Sequence, residues 1–365
     1  MSPRIALCLP GGGAMGALYQ IGALAAVEDA VEDFNANSFD LYVGSSSGAS
    51  LAAALAAGVP VQRLYRAFLD PADQYFGLER RHLLRFDLSE WRRTLSTAVS
   101  ALRHAAGGVL ARESKALPSA VWQELDRLYD SLPAGLFTLE VYERFLEDFF
   151  VRRSVPNTFS AMPRPLRVLA HDLDSGAPVC FGDPGYEAVP VTRACIASMA
   201  IPPFFSPVRI GDRHYMNPGA GQISHLDVAI DAGEKVIFVV HSMVPVRVNS
   251  VPTGHGHCDS LRDKGMMWVL NQAIRIGMQR LLDESSRRVD ANPDLALLRI
   301  EPNPEDGILF MYNPSSFEAR RRMLEHAYRS TRLALAQRFA NSDPALARAA
   351  LRPRASARSI PPPPL

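Results

Sequence analysis

The 365-residue chain has no apolar run of the roughly 20 residues that a membrane-spanning helix requires. Its first residues contain no basic segment followed by an apolar stretch, which is the pattern of a secretory signal. The formal net charge is +1, so bulk electrostatics do not favour nucleic acid as a partner. We therefore predict a soluble cytoplasmic protein, for which peripheral contact with a membrane surface stays open.

Cysteine is also scarce, with four residues that are widely spaced and form no CxxC pair. Cys8 falls in a predicted buried strand and Cys195 in a predicted buried helix, which favours buried thiols over a disulfide framework. Several metal-type donors crowd into residues 255–259. One short loop seldom completes a metal site without a distant ligand, so we interpret it as a polar surface loop and expect no metal or cofactor.

The first 60 residues alternate between strand and helix patterns. Residues 4–9 form an almost continuous apolar run, and residues 39–43 form a second one. Such runs are typical of strands that are buried on both faces of a parallel sheet. A helical pattern follows each run, so the segment predicts a βαβα unit. The chain is therefore predicted to be an α/β protein with three layers, α/β/α, around a mainly parallel sheet.

Later segments suggest how the chain is divided. Residues 60–160 show clustered charges and aromatic residues without strand–helix alternation, which predicts a mostly helical cap insertion. Its arginines and apolar side chains would suit an anionic lipid surface, but they equally suit amphipathic helices that pack on the core, which we favour. Residues 1–342 then form one domain with this insertion. The Arg- and Pro-rich residues 343–365 are predicted to be a disordered tail.

A glycine-rich turn follows the first predicted strand and opens a helix, with the sequence Gly11-Gly12-Gly13-Ala14-Met15-Gly16. Glycine lets a backbone approach a ligand closely, and free N–H groups at a helix start favour negative charge. Such donors can form the oxyanion hole of an acyl-transfer enzyme. A nucleotide-phosphate loop is the weaker alternative, because the spacing matches neither common phosphate-loop pattern.

The second strand runs into Gly44-Ser45-Ser46-Ser47-Gly48 and then an alanine-rich helix. This is a G-x-S-x-G pattern in the strand–turn–helix context of a nucleophile elbow. Ser46 is the serine with glycine two positions to either side, so it is the predicted nucleophile. The alternative is that the serines merely cap the helix.

These two motifs resemble the patatin family of lipid acyl hydrolases, which use a Ser–Asp dyad. The resemblance extends to residues 170–176 and 197–208 and to the run from Gly211 to Val240, so it covers about 1–60 and 165–240. It implies that Gly11, Gly12, Gly13 and Gly16 build an oxyanion loop, that Gly44 and Gly48 shape the elbow, and that the substrate is a lipid ester.

The chain departs from the family at three places. Met15 stands where the family loop usually carries Arg or Lys, the family's Asn-x-Pro reads Ile223-Ser224-His225, and Asn217-Pro218-Gly219 aligns with the acidic motif. An amide cannot accept the serine proton, so Asn217 occupies the dyad position without its base function. His225 and Asp212 are the alternative bases. The sequence therefore leaves open a serine acyl hydrolase, of phospholipase A or lysophospholipase type, or a catalytically impaired lipid-binding or regulatory scaffold.

Overall fold

A computed structural model describes residues 4–83, 85–88, 90–92, 94–97, 99–100, 103, 132–220, 224–248, 251–253, 256–258, 260–314 and 316–354. Its strands are β1 Ile5–Leu9, β2 Leu41–Gly44, β3 Arg85–Phe86, β4 Phe137–Thr138, β5 Leu166–Asp172, β6 Pro178–Phe181, β7 Val208–Ile210, β8 Arg213–Met216, β9 Val236–Val240, β10 Val251–Thr253, β11 Gly256–Cys258 and β12 Ala296–Ile300. Its helices are α1 Gly13–Ala30, α2 Ser47–Ala56, α3 Val61–Leu69, α4 Arg80–Leu83, α5 Glu140–Arg153, α6 Val191–Met199, α7 His225–Asp231, α8 Met266–Asp290, α9 Phe317–Ala340 and α10 Pro344–Arg348.

The central sheet has the strand order β12-β9-β1-β2-β5-β8-β7, and β6 also pairs with β5. The strands from β12 to β5 run parallel to one another, whereas β6, β7 and β8 pair antiparallel. The mainly parallel sheet is as predicted. The antiparallel edge follows because β7 and β8 are joined by a tight turn, which only antiparallel neighbours allow.

Both faces of the sheet are covered, as the apolar strand runs predicted. Leu7 and Leu9 of β1 point into the core shared with α1, α2 and α9, while Ala6 and Cys8 point into the core shared with α7 and α8. Side chains alternate between the faces of a strand, so a strand that is apolar at every position needs helices on both sides. This confirms the three-layer α/β/α architecture.

The described part of the predicted cap is largely helical, and residues 104–131 lie outside the described residues. Helix α3 packs against α1 and α9. Aromatic rings between α3 and α4 contact those of α5: Phe76 lies 5.1 Å from Phe145 and 5.0 Å from Phe149, measured between ring centroids. These contacts favour packing on the core over the lipid-surface interpretation for this part of the cap.

The predicted disordered tail needs a correction at its start. Residues Pro344–Arg348 form α10, in which Leu346 is 2% exposed. The backbone N–H of Arg354 donates to the Ala30 carbonyl, 2.9 Å away, so this segment is tied to the end of α1. The proline and arginine content indicates disorder, whereas the contacts of Leu346 and Arg354 depend on the fold and leave no local pattern in the sequence. Residues 355–365 lie outside the described residues.

Of the helices that the structure describes, none combines the length and the apolar character needed to cross a bilayer.

Two histidines are buried beside the end of β9, where the parallel strands finish. His225 is 7% exposed and His241 is 1% exposed. Burial, with a smaller effect of the Arg299 charge on His241, lowers the pKa of both side chains to about 3. Both imidazoles are therefore neutral near pH 7, and neither ring nitrogen of His241 has a hydrogen-bond partner.

The close packing of α1 on α9 predicts that Gly22→Ala is destabilising. A Cβ at Gly22 would lie 2.6 Å from the Leu324 carbonyl oxygen and 2.9 Å from the Ala327 Cβ. We expect the free energy of unfolding to fall by about 1–3 kcal/mol, measured by urea denaturation. Gly277→Ala in α8 is the matched control, because a Cβ there meets no atom within 4 Å. Equal effects of the two changes would contradict this view of the helix contact.

The buried histidines predict a loss of stability in acid. A free imidazole has a pKa near 6.5, so between about pH 6.5 and pH 3 the unfolded chain binds protons that the folded chain excludes. The contribution of each histidine to the free energy of unfolding is therefore complete above about pH 6.5. It is lost as the pH falls towards 3, by up to about 1.4 kcal/mol per pH unit for each histidine. Urea midpoints of the parent and of His241→Leu at about pH 7.5 and about pH 5 measure this. The variant should lose less stability on acidification, and an identical loss in both proteins would exclude His241 as a cause.

Candidate active site

Ser46 lies on a sharp turn between β2 and α2, with φ 52° and ψ −130°. This backbone region is rare for a residue with a side chain and costs about 1–3 kcal/mol. A Cβ on Gly48 would collide with the backbone carbonyl of Leu9, and one on Gly44 would lie 2.8 Å from the Ala49 Cα. The two glycines of the motif are therefore required by the close approach of the turn to its neighbours.

The glycine-rich turn contacts Ser46 directly. A Cβ on Gly11 would overlap the Ser46 Cβ and lie 3.2 Å from its Oγ, so only glycine fits at this position. The Gly11 N–H donates to Ser45 Oγ at 3.1 Å, and the Gly16 N–H donates to the Gly12 carbonyl at 3.1 Å. The N–H groups of Gly11 and Gly16 are therefore engaged within the turn, and these two glycines contribute to the loop by their close packing.

Gly12 and Gly13 remain as candidate donors, because α1 begins at Gly13 and the first N–H groups of a helix have no partner within it. Ser242, just after β9, holds this turn in place. Its hydroxyl donates to the Gly11 carbonyl at 3.3 Å, and a Cβ on Gly12 or Gly16 would collide with it. No motif marks Ser242 in the sequence, because its contact is made across 231 positions.

A cavity of about 820 Å³ opens over Ser46 and the glycine-rich turn. Its walls come from α1, α2, α3, α5, α8 and α9, and they are mostly aliphatic and aromatic. The apolar lining includes Leu18, Ile21, Leu51, Leu64, Phe68, Phe76, Leu146, Phe149, Ile274 and Met278. A pocket of this size with an apolar wall and few polar groups is typical of small-molecule sites.

Asn217 also lines this cavity and follows β8 immediately. It is 7% exposed, and both ends of its amide are engaged. The Nδ2 donates to the Ser198 carbonyl at 2.6 Å, and the Oδ1 accepts the Gly219 N–H at 2.8 Å. The side chain is therefore held as an amide, with its donor and its acceptor each directed at a backbone group.

Ser198 connects Asn217 to the elbow. Its hydroxyl accepts the backbone N–H of Ser46 at 2.8 Å and donates to the Leu169 carbonyl at 2.5 Å, while its own carbonyl accepts from Asn217. Ser198 lies in the family-like segment 197–208, where the sequence alone indicates no role for it. Its hydroxyl bridges strand β5 and the elbow, and these contacts join distant parts of the chain that no local sequence pattern relates.

The two alternative bases lie in different places. Asp212 is fully exposed in the turn between β7 and β8, where its Oδ1 lies 3.8 Å from the Nη2 of Arg209. It does not line the cavity that contains Ser46, so the prediction that it serves as a base is wrong. The Nε2 of His225 lies 3.0 Å from the Oγ of Ser45, one residue before the predicted nucleophile. The Ser45 hydroxyl also accepts from the Gly11 N–H, so it connects the glycine-rich turn to the imidazole of His225.

A second cavity of about 420 Å³ adjoins the first and is lined by Ser45, Gly219, His225 and His241 among other residues. Since Ser45 and Gly219 line both cavities, the elbow and the Asn217 turn separate them.

Comparison with known proteins places this geometry in a family. The sequence model of the patatin-like phospholipases matches residues 7–249, which include the glycine-rich turn, the elbow and Asn217. No curated protein matches the sequence significantly. Among solved structures, VipD from Legionella pneumophila is 14% identical with a TM-score of 0.37, over 92% of this chain and 67% of that one.

The structure of SpcU in complex with ExoU from the type III secretion system of Pseudomonas aeruginosa is 17% identical with a TM-score of 0.30, over 78% of this chain and 53% of that one. The type III effector ExoU alone is 18% identical with a TM-score of 0.31, over 90% of this chain and 53% of that one. The chain thus spans between about half and two thirds of the length of these structures. Because the family model covers most of this chain, including every motif of the site, the chain belongs to the patatin-like phospholipases, a family of lipid hydrolases.

Proposed function

We propose that the chain is a serine esterase that cleaves lipid esters, in the manner of a phospholipase A or lysophospholipase, with Ser46 as its nucleophile. The observation that carries the proposal is the strained backbone of Ser46 beside the glycine-rich turn, at the edge of a large apolar cavity. Strain of this kind is maintained by its surroundings and occurs preferentially at functional sites. The apolar walls suit the acyl chain of a lipid, and no metal or cofactor enters the proposed reaction.

In the proposed reaction, Ser46 Oγ attacks the ester carbonyl as its proton passes to a water molecule, because the amide of Asn217 cannot accept it. The negative charge on the former carbonyl oxygen is stabilised by the N–H groups of Gly12 and Gly13. The alcohol then departs with a proton and leaves an acyl-serine, which water hydrolyses to the free fatty acid and the original serine. Ser45, Ser198 and Ser242 position the groups on either side of the reacting carbonyl.

The weak point of this site is the base. Asn217 occupies the position of the family's dyad acid, and its amide does not accept a proton at neutral pH. His225 is bonded to Ser45, and a pKa of about 3 makes it a poor acceptor. Loss of a base from a comparable hydrolase costs about 10⁴–10⁶ in rate, while an intact oxyanion hole and binding still provide about 10³–10⁴ over water. The proposal is therefore a slow esterase.

A lipid-binding scaffold without turnover is the second candidate. The observation in its favour is that both hydrogen-bonding ends of Asn217 are occupied by backbone groups, which suits an amide and would not suit a carboxylate. The same cavity would then hold an acyl chain without any bond being broken. Reactivity of Ser46 distinguishes the two candidates.

Labelling by a fluorophosphonate probe tests the nucleophile. We expect the parent protein to be labelled on the peptide that contains Ser46, and Ser46→Ala to lose the label, because the probe reacts with activated serines. Ser47→Ala is the matched control, since its hydroxyl is the adjacent one and has no hydrogen-bond partner. Mass spectrometry locates the label. A folded parent protein that stays unlabelled would favour the scaffold.

Restoring the acid tests the explanation for the weak base. Asn217→Asp should raise kcat/KM for a soluble carboxylic ester by at least about tenfold, because a general base commonly contributes 10²–10⁴. It should also lower the free energy of unfolding by about 1–3 kcal/mol, because the Ser198 carbonyl loses its donor and faces a carboxylate. Unchanged kcat/KM together with substantial parent activity would mean that another group serves as base, and His225→Ala is then the variant to assay.

A further inference from the structure

Three consecutive arginines, Arg320 to Arg322, lie near the start of helix α9, and they differ in their partners. Arg321 pairs with Glu325 at 2.8 Å and Arg322 with Glu318 at 2.9 Å, both within the helix. Arg320 forms no ion pair with any residue that the structure describes, and its Nε is buried without a hydrogen-bond partner. An arginine left unpaired beside two paired ones requires an explanation, since a buried donor without a hydrogen-bond partner is unfavourable.

Arg320 lines the cavity that contains Ser46. Among the described residues that line it, Arg320 is the one cation. Burial lowers the pKa of its guanidinium. The cavity therefore presents a positive charge whose hydrogen-bonding capacity the described residues leave partly unused.

Glu79 is the carboxylate that lines the same cavity, and it is engaged elsewhere. Its oxygens accept from Arg81, at 2.9 Å from the Nε and at 3.1 Å from the Nη2. It therefore does not neutralise Arg320. A guanidinium with free donors matches the paired oxygens of a phosphate, which it binds through two parallel hydrogen bonds.

We infer that Arg320 receives the phosphate of a lipid head group while the acyl chain lies along the apolar walls of the cavity. The site would then select phosphate-bearing lipids over neutral glycerides with the same acyl chain. This inference rests on the proposed function for the identity of the cavity as the substrate site, and it assigns the residue that recognises the head group. Arg320 is in this account a specificity-determining residue and takes no part in bond cleavage.

Calorimetric binding to the full chain tests the inference in a Ser46→Ala background, where the ligand stays intact. The probes share one short acyl chain and are used below their micellar concentrations: a lysophosphatidic acid, the corresponding monoacylglycerol and the corresponding fatty acid, with inorganic phosphate as a fourth probe. We expect the lysophosphatidic acid to bind about tenfold to hundredfold more tightly than the monoacylglycerol, because charge-assisted hydrogen bonds contribute at this level.

Arg320→Gln should remove this preference and leave monoacylglycerol binding as it was. Arg322→Gln, which breaks an ion pair on the same helix, is the matched control and should keep the preference. The melting temperature of Arg320→Gln should equal or exceed that of its parent, because the change removes an unpaired buried donor. A fall in melting temperature with loss of every ligand would show a structural role and overturn the inference.

Two further results would also overturn it: equal affinity of Arg320→Gln and its parent for the lysophosphatidic acid, or Arg320-dependent binding of the fatty acid without that of the phosphate lipid. Binding of inorganic phosphate as tight as that of the lysophosphatidic acid would likewise exclude a lipid ligand. These binding results do not depend on whether Ser46 is reactive, so they leave the esterase activity to the labelling experiment. Arg320-dependent lipid binding in a protein whose Ser46 resists labelling would support the inference and count against the esterase.

Discussion

The site depends on the close approach of two backbone turns that leave no room for a Cβ. Gly11 lies directly against Ser46, and Gly48 lies against the carbonyl of Leu9 in β1. Since β1 and β2 are adjacent parallel strands, their ends lie side by side, and the turns that follow them must share the same small space. The strained backbone of Ser46 is the consequence, and the surrounding sheet and helices maintain it.

A set of serines then holds the turns in register. The Ser45 hydroxyl accepts the N–H of Gly11, and the Ser242 hydroxyl donates to the carbonyl of Gly11. The Ser198 hydroxyl accepts the N–H of Ser46. Each hydroxyl satisfies a backbone group that would otherwise be buried without a partner, so these serines offset a cost that the tight turns create. Asn217 fits this pattern, because it too satisfies a donor and an acceptor of the backbone. Its amide completes the hydrogen bonding of the backbone around it.

The elements whose signals are local could be predicted from the sequence. Apolar strands beside glycine-rich turns indicated both the parallel sheet and the position of Ser46, because period and spacing encode those features directly. The roles of Gly11 and Gly16 could not be predicted, since the partner of each N–H depends on how the turn is folded. Asp212 was close to the dyad position in sequence but lies at the far end of a hairpin, where its carboxylate is exposed. The pairing of His225 with Ser45 joins positions 180 residues apart, which a single sequence does not report.

Helix α1 connects the elbow at Ser46 to helix α9, which carries Arg320. The turn that opens α1 places Gly11 against Ser46, and the helix itself packs along α9, where a Cβ on Gly22 would meet the Leu324 carbonyl oxygen. The same α9 brings Arg320 to the cavity, so the helix contact that closes the core also sets where the cation stands relative to the elbow. The groups proposed for bond cleavage lie within residues 7–249, which the family model matches, whereas Arg320 lies beyond them. Selection of the head group would therefore be a property that the C-terminal part of this chain adds to a site built by the family's common core.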